Sequence, residues 1–426
     1  MSIAPGTAAW LFQHRPGQRS SASHRRKVTE QKILELVSVD AADRFQSVTP
    51  QFIRDLEWPY LLELTYREDL ASLTYHTLVQ TPLGGEREVP VQKFYYLHQL
   101  TRRRNSKAYD QLAEVLLRLN HQRVEAMVLK GAALAQVVYP DPGLRPFSDI
   151  DILVRRRDAE TAHALLNGLG YRLNYWGGAI DPPSSTDLRF RSARQYFHEN
   201  RDYLRIDLYW QLGRYPYVVP LDYAALWERA SRVTLGNVPA RVLSPEDMVL
   251  HLSLEFILGV WYGVPEVKYL RDIAEVVHRQ DVDWPSLSSQ VRRSALASPL
   301  YFSCRLSREL LGADIPEGAL NSVHPKAGWR EELAVKRLEK HIWGPDSRQS
   351  TPFWWRSCVW LGQRAMATRS GGWLGWWCPL GSCGAEFREG WRGSFWGEGR
   401  VPQNTTVAAV LKLIPPSFAP PPSHPQ

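Results

Sequence analysis

The sequence predicts an α+β fold, a small mixed sheet flanked by N- and C-terminal helical regions. Apolar residues recur at three- and four-residue intervals from about Gln31 to Gln122 and again over about 240–340, the spacing of amphipathic helices. Between those regions the pattern changes. Short apolar runs, AMVL at 126–129 and DIDILV at 149–154, alternate with helical stretches. Strand, helix, strand, helix and then further strands make a small layered unit.

Residues 1–30 are rich in Ser, Arg, Gly and Pro and read as a disordered basic tail. Residues 31–122 form the N-terminal helical region, interrupted where Gly84, Gly85 and Pro90 break the period. The next unit covers 123–240. AMVL is its first strand and ends in Lys130-Gly131; AALAQVVY is a helix stopped by Pro140-Asp141-Pro142-Gly143. After DIDILV, Asp158 is expected to cap a helix with Glu160 in its first turn. Ala162, Leu165, Leu166 and Leu169 face inward, and Gly170 ends it. Strands are expected near Tyr171–Tyr175, Leu188–Arg191 and Tyr203–Leu212. Ser244-Pro245-Glu246-Asp247 then opens a helix, with a capping hydroxyl, proline in the first turn and acids at the positive end of the dipole. Helices continue through EVKYLRDIAEVVHRQ to complete a C-terminal helical region at 241–340.

The composition shifts after that. Nine of the seventeen tryptophans fall between Trp343 and Trp396 among Gly, Arg, Ser and Cys, and the chain closes on PPSFAPPPSHPQ. No period persists, so 341–426 reads as an unstructured Trp/Gly/Pro-rich extension, or as a segment from a shifted reading frame. Stacking on bases or lying at a membrane surface ranks below these.

The formal charge of +8 comes from the two ends. Residues 1–30 hold five Lys/Arg and one acid, and residues 345–426 hold eight and four, which leaves 31–344 neutral. A nucleic-acid partner is therefore not supported by the charge of the folded part. No stretch approaches the ~18 uninterrupted apolar residues of a membrane span, and the basic N-terminus lacks a ~7–15-residue apolar signal core. A cytoplasmic protein with no membrane partner is expected. Four scattered cysteines, none in a Cys-x-x-Cys pair, argue against a zinc site or a disulfide framework.

The chemistry concentrates between Glu125 and Val154. Alternation along a strand points Asp149 and Asp151 to one face, with Ile150 and Ile152 directed to the core. The same rule puts Arg205, Asp207 and Tyr209 on one face of a later strand. If the two strands are neighbours, three carboxylates converge and need a cation. Mg²⁺ (or Mn²⁺) suits that set, because it takes a few carboxylates and completes its shell with phosphate and water oxygens. Lys130-Gly131 supplies a strand end, a close backbone approach and a helix N-terminus, an arrangement that binds phosphate. Lys130, Arg145 and Ser148 are candidate triphosphate contacts, Arg145 through its bidentate fork. Asp-x-Asp alone is most often a solvated strand edge; the joint placement of these groups carries the metal-site reading. Asp272 is assigned a surface or capping role in preference to one at the site. His198 and His251 are assigned to packing or surface.

MVLKGAALAQVVYPDPGLRPFSDIDILV, followed by a helix, GLGY, IDLYWQL and the later LRDIAEV, resembles the uncharacterised nucleotidyltransferase family of the DNA polymerase β-like superfamily. The resemblance covers about 31–340, with its specific motifs at 124–212. It implies transfer of a nucleoside monophosphate from an NTP to the hydroxyl of an unknown acceptor, with release of pyrophosphate. It further implies metals on Asp149 and Asp151, Asp207 as third carboxylate and aid to hydroxyl deprotonation, and triphosphate handling by Gly131 and Lys130. The wider superfamily usually carries Gly-Ser or Gly-Gly where this chain has Lys130-Gly131-Ala132, and reaches its acidic pair after fewer residues. The extra YPDPGLRP loop is expected to reshape the triphosphate pocket. Two other readings remain: a catalytically inactive nucleotide-binding or scaffold protein of the same fold, and a tRNA-directed nucleotidyltransferase, which a neutral core disfavours.

Overall fold

Strands β1 (Ala126–Leu129), β2 (Asp149–Val154), β3 (Tyr171–Leu173), β4 (Ala193–His198), β5 (Arg205–Tyr209), β8 (Ser231–Leu235) and β9 (Val238–Val242) form one mixed sheet in the order β3-β4-β5-β2-β1-β9-β8. A separate short pair joins β6 (Gly213–Arg214) to β7 (Tyr217–Val218). The computed structural model describes residues 19–343 except 48–49, 87–88, 174–192, 201, 215–216, 219–220, 263–264, 293–295, 325–328 and 341. The strand expected at Leu188–Arg191 and the extension after 343 lie outside those residues.

β1 runs antiparallel to β2 and parallel to β9, and β2 runs parallel to β5. The β2–β5 register places Asp149 beside Arg205, Ile150 beside Ile206 and Asp151 beside Asp207. Ile150, Ile152, Ile206 and Leu208 are essentially inaccessible, so one face of this strand pair is core. The opposite face carries the acids. β4 and the β8–β9 hairpin were not marked by the sequence pattern. Arg194, Arg232 and Arg241 interrupt their apolar alternation, and Arg194 reaches Glu160 while Arg241 reaches Glu125. The sheet extends to Val242.

The helices preceding the sheet are α1 (Arg19–Leu36), α2 (Ala41–Arg44), α3 (Pro50–Asp55), α4 (Trp58–Arg67), α5 (Ala71–Gln80) and α6 (Val91–His121). α1 takes in residues 19–30, which composition assigns to a tail. Thr29 is fully buried and its hydroxyl accepts the Glu57 N–H, so tertiary packing overrides a polar composition there. α7 (Lys130–Val137), α8 (Ala159–Gly168) and α9 (Tyr223–Arg229) lie between strands. Gly170 closes the α8 turn at φ +89, the left-handed region glycine favours. Asp158 stands at the α8 N-cap but makes no side-chain cap bond, because a tight turn at Arg156–Asp158 leads into the helix.

The C-terminal region contains α10 (Pro245–Tyr262), α11 (Val267–Arg279), α12 (Trp284–Val291), α13 (Ala297–Leu311), α14 (Glu317–Val323) and α15 (Trp329–Lys340). The Ser244 hydroxyl accepts the Asp247 N–H at 3.3 Å, which starts α10 as the sequence indicates. One continuous core runs from Ile33 through the sheet to Ile342, so the helices and the sheet are packed on each other. Among the described residues no helix is long and apolar enough to cross a membrane.

Candidate active site

β1 delivers Lys130 and Gly131 to the edge of an open cleft, and β2 delivers Asp149 and Asp151 to the same place. Because β5 is the parallel neighbour of β2, Asp207 comes alongside Asp151. One oxygen from each of Asp149, Asp151 and Asp207 lies within 4.8 Å of the others. Asp151 and Asp207 are buried at 2% and 1% exposure, whereas Asp149 opens to the cleft with 28% of its side chain exposed. Three hard oxygen donors with an accessible member fit Mg²⁺ or Mn²⁺. Ser148 lies on the wall of the cleft beside Asp149.

Two cations are built into the acidic cluster. Arg205 donates Nε to Asp207 at 2.8 Å and Nη2 to Asp149. Lys130 donates Nζ to Asp151 at 3.0 Å and to the Tyr209 hydroxyl at 3.2 Å, and stands 3.2 Å from Glu255. Burial opposes the charge on Lys130, but the Asp151 and Glu255 carboxylates outweigh it and keep the amine protonated. Burial is also the first cause acting on Asp151, with Lys130 opposing it and Asp149, Asp207 and Glu255 adding to it; the carboxyl is raised to about 7. The amine is raised by the acids around it, and the Asp151 carboxyl chiefly by burial, with the neighbouring acids adding to it. Asp149, Asp151, Asp207 and Glu255 thus gather around Lys130 and Arg205, and this surplus of acidic groups can hold a divalent cation.

Gly131 has a steric reason. A Cβ there would stand 2.5 Å from the Phe147 Cβ, so only glycine lets the β1–α7 turn close on the loop that carries the acidic pair. Lys130, one residue earlier, adopts φ +49, a conformation a side chain usually avoids.

Arg145 lines the cleft, but its guanidinium makes a bidentate pair with Asp272, both contacts 2.7 Å. Asp272 is 0% exposed and also accepts the Tyr139 hydroxyl at 2.8 Å. The surface or capping role read for Asp272 is therefore wrong. The apolar stripe of α11 turns inward and takes Asp272 with it, and burial is tolerated because Arg145 answers the charge. His251 is buried at 3% with Nε2 3.5 Å from Glu255, and desolvation holds it neutral. His198 contacts the Leu169 carbonyl and packs edge-on against Tyr171 and tilted against Tyr203.

Sequence reasoning missed Glu255, Glu266, Lys268 and Tyr269, of which the last three line the cleft from the start of α11. One signal existed. In HLSLEFILGV an acid interrupts a continuous apolar face, and a charge buried at such a position needs a partner.

A family model described as an uncharacterised nucleotidyltransferase matches residues 54–312. The chain belongs to this nucleotidyltransferase family. No curated protein matches it. Three solved structures are similar to this family member. One is a crystal structure of the lincosamide antibiotic adenylyltransferase LnuA with lincomycin bound (TM-score 0.26, 16% identity, 39% of this chain and 94% of that one). Another is a solution structure of the antibiotic-resistance factor ANT(2'')-Ia (0.28, 15%, 56% and 98%). The third is a crystal structure of an antigenic nucleotidyltransferase-like protein from Paracoccidioides brasiliensis (0.30, 13%, 50% and 96%).

Proposed function

We propose that this protein transfers a nucleoside monophosphate from an NTP to an acceptor hydroxyl and releases pyrophosphate. The convergence of Asp149 and Asp151, which line the cleft, with Asp207 buried behind them carries this reading. These three side chains would hold Mg²⁺ or Mn²⁺, which when bound supplies charge stabilisation to the reacting phosphates. In this reading the acceptor oxygen bonds to the α-phosphorus as the bond to the bridging oxygen of the β-phosphate breaks. Pyrophosphate takes the electron pair, and the hydroxyl proton passes to a carboxylate, for which Asp207 is the candidate.

The start of α7 at Gly131 and the Ser148 hydroxyl are the proposed triphosphate contacts, since both border the cleft and a helix N-terminus offers free N–H groups. Lys130 and Arg145 border it too, and lend positive potential from within their buried ion pairs. The acceptor is a hydroxyl compound. A neutral 31–344 supports a small molecule or a protein side chain over a polynucleotide.

Thermal unfolding with each NTP, with and without Mg²⁺, tests this. A nucleotide at ~100 times its dissociation constant adds about 2.7 kcal/mol of stability. The expected result is stabilisation by at least one NTP that requires metal and vanishes in Asp149→Ala. Equal stabilisation of the wild type and Asp149→Ala would remove the reading.

A further inference from the structure

The Lys130 ammonium has three N–H donors. Asp151, Glu255 and the Tyr209 hydroxyl supply three acceptors, at 3.0, 3.2 and 3.2 Å. Lys130 is 9% exposed and Glu255 7%, so these contacts are made largely out of solvent. The backbone gives a second, independent sign. Lys130 sits at φ +49 in a tight strand-to-helix turn, where glycine would be free of strain. A side chain kept at a strained position marks a task for that side chain. Glu255 reaches it from α10, outside the sheet that carries the three aspartates.

We propose that Glu255 is a positioning residue for the metal site: by sharing the Lys130 ammonium, it keeps that cation from fully engaging Asp151 and leaves Asp151 available to a divalent ion. The α10 helix thereby sets metal affinity while contributing no ligand. This rests on the preceding reading that the aspartates take such an ion. A purely structural clamp would have the same geometry but different consequences. Removing the Glu255 charge has two effects of one sign. It gives Asp151 the undivided ammonium, and it lowers the negative potential that attracts the ion. Removing Lys130 and Glu255 together takes away the competitor along with its restraint.

The test is Mn²⁺ titration of the full chain, followed by the loss of the free-ion electron paramagnetic resonance signal, with melting temperatures measured in parallel. Glu255→Gln is expected to weaken Mn²⁺ binding about tenfold, the usual effect of altering a group behind a metal ligand. Lys130→Met/Glu255→Gln is expected to bind Mn²⁺ as tightly as the wild type or more so. Because it deletes both charges of a buried pair at once, the double variant also keeps the test usable if Glu255→Gln fails to fold. A Glu255→Gln protein with a lowered melting temperature and unchanged Mn²⁺ affinity would overturn the proposal and leave the metal site standing. Asp149→Asn separates the two levels: equal Mn²⁺ binding by the wild type and Asp149→Asn would overturn the metal site and, with it, this proposal.

Discussion

Asp151 ionises against its burial and against Asp149, Asp207 and Glu255, with the Lys130 ammonium as the counterweight. Its carboxyl moves from an ordinary 3.8 to about 7. Between those values the folded chain holds a proton that the unfolded chain releases. The contribution of this group to metal-free stability is therefore fully present below about pH 4 and is lost as pH rises through about 7. A divalent ion requires the ionised carboxylate, so metal affinity changes in the opposite sense. Mn²⁺ affinity measured from about pH 5.5 to 8.5 is expected to climb toward pH 7 and level off above it. A flat profile would mean that Asp151 is already ionised across that range.

The segment between α7 and β2, which holds one 3₁₀ turn at Pro142–Leu144, shows how a connection is fixed in place. Asn105 on α6 donates to the carbonyls of Pro142 and Arg145, at 2.7 and 3.0 Å. Arg145 is gripped from the other side by Asp272 on α11. The loop is thus fastened to both helical regions, and β2 begins from a fixed point with Asp149 at its first position. Asp272→Ala leaves the Arg145 guanidinium buried and uncompensated, a change that costs about 3–5 kcal/mol. Urea unfolding is expected to show that loss with little change in slope. A loss below about 1 kcal/mol would show that Arg145 finds solvent or another partner. Arg145→Lys cannot restore the paired contacts, since an ammonium lacks the planar fork.

Across the whole chain, the described lining of the cleft runs from Lys130 to Tyr269. A chain ending at 343 is accordingly expected to keep the metal-dependent stabilisation by nucleotide seen with the full chain. A soluble shortened protein that no longer responds would assign the last residues a part in binding. The strand-turn-helix at 126–137, the like-facing pairs on β2 and β5 and the α10 start at Ser244 were legible because each depends on neighbours a few residues away. The α-rich flanks followed from period alone, although α1 begins before the sequence pattern suggests. What the sequence by itself determined was therefore local: the types of the strongly periodic elements, the faces of Asp149, Asp151 and Asp207, and the close approach that glycine permits at position 131. Only the tertiary structure decided that β5 lies beside β2, that Lys130 is shared between Asp151 and Glu255, and that Asp272 is buried against Arg145. These pairings join distant parts of the chain, and the charge of a side chain does not specify its partner. Packing brings the partners together, and the energetic cost of leaving a buried charge unanswered keeps them there.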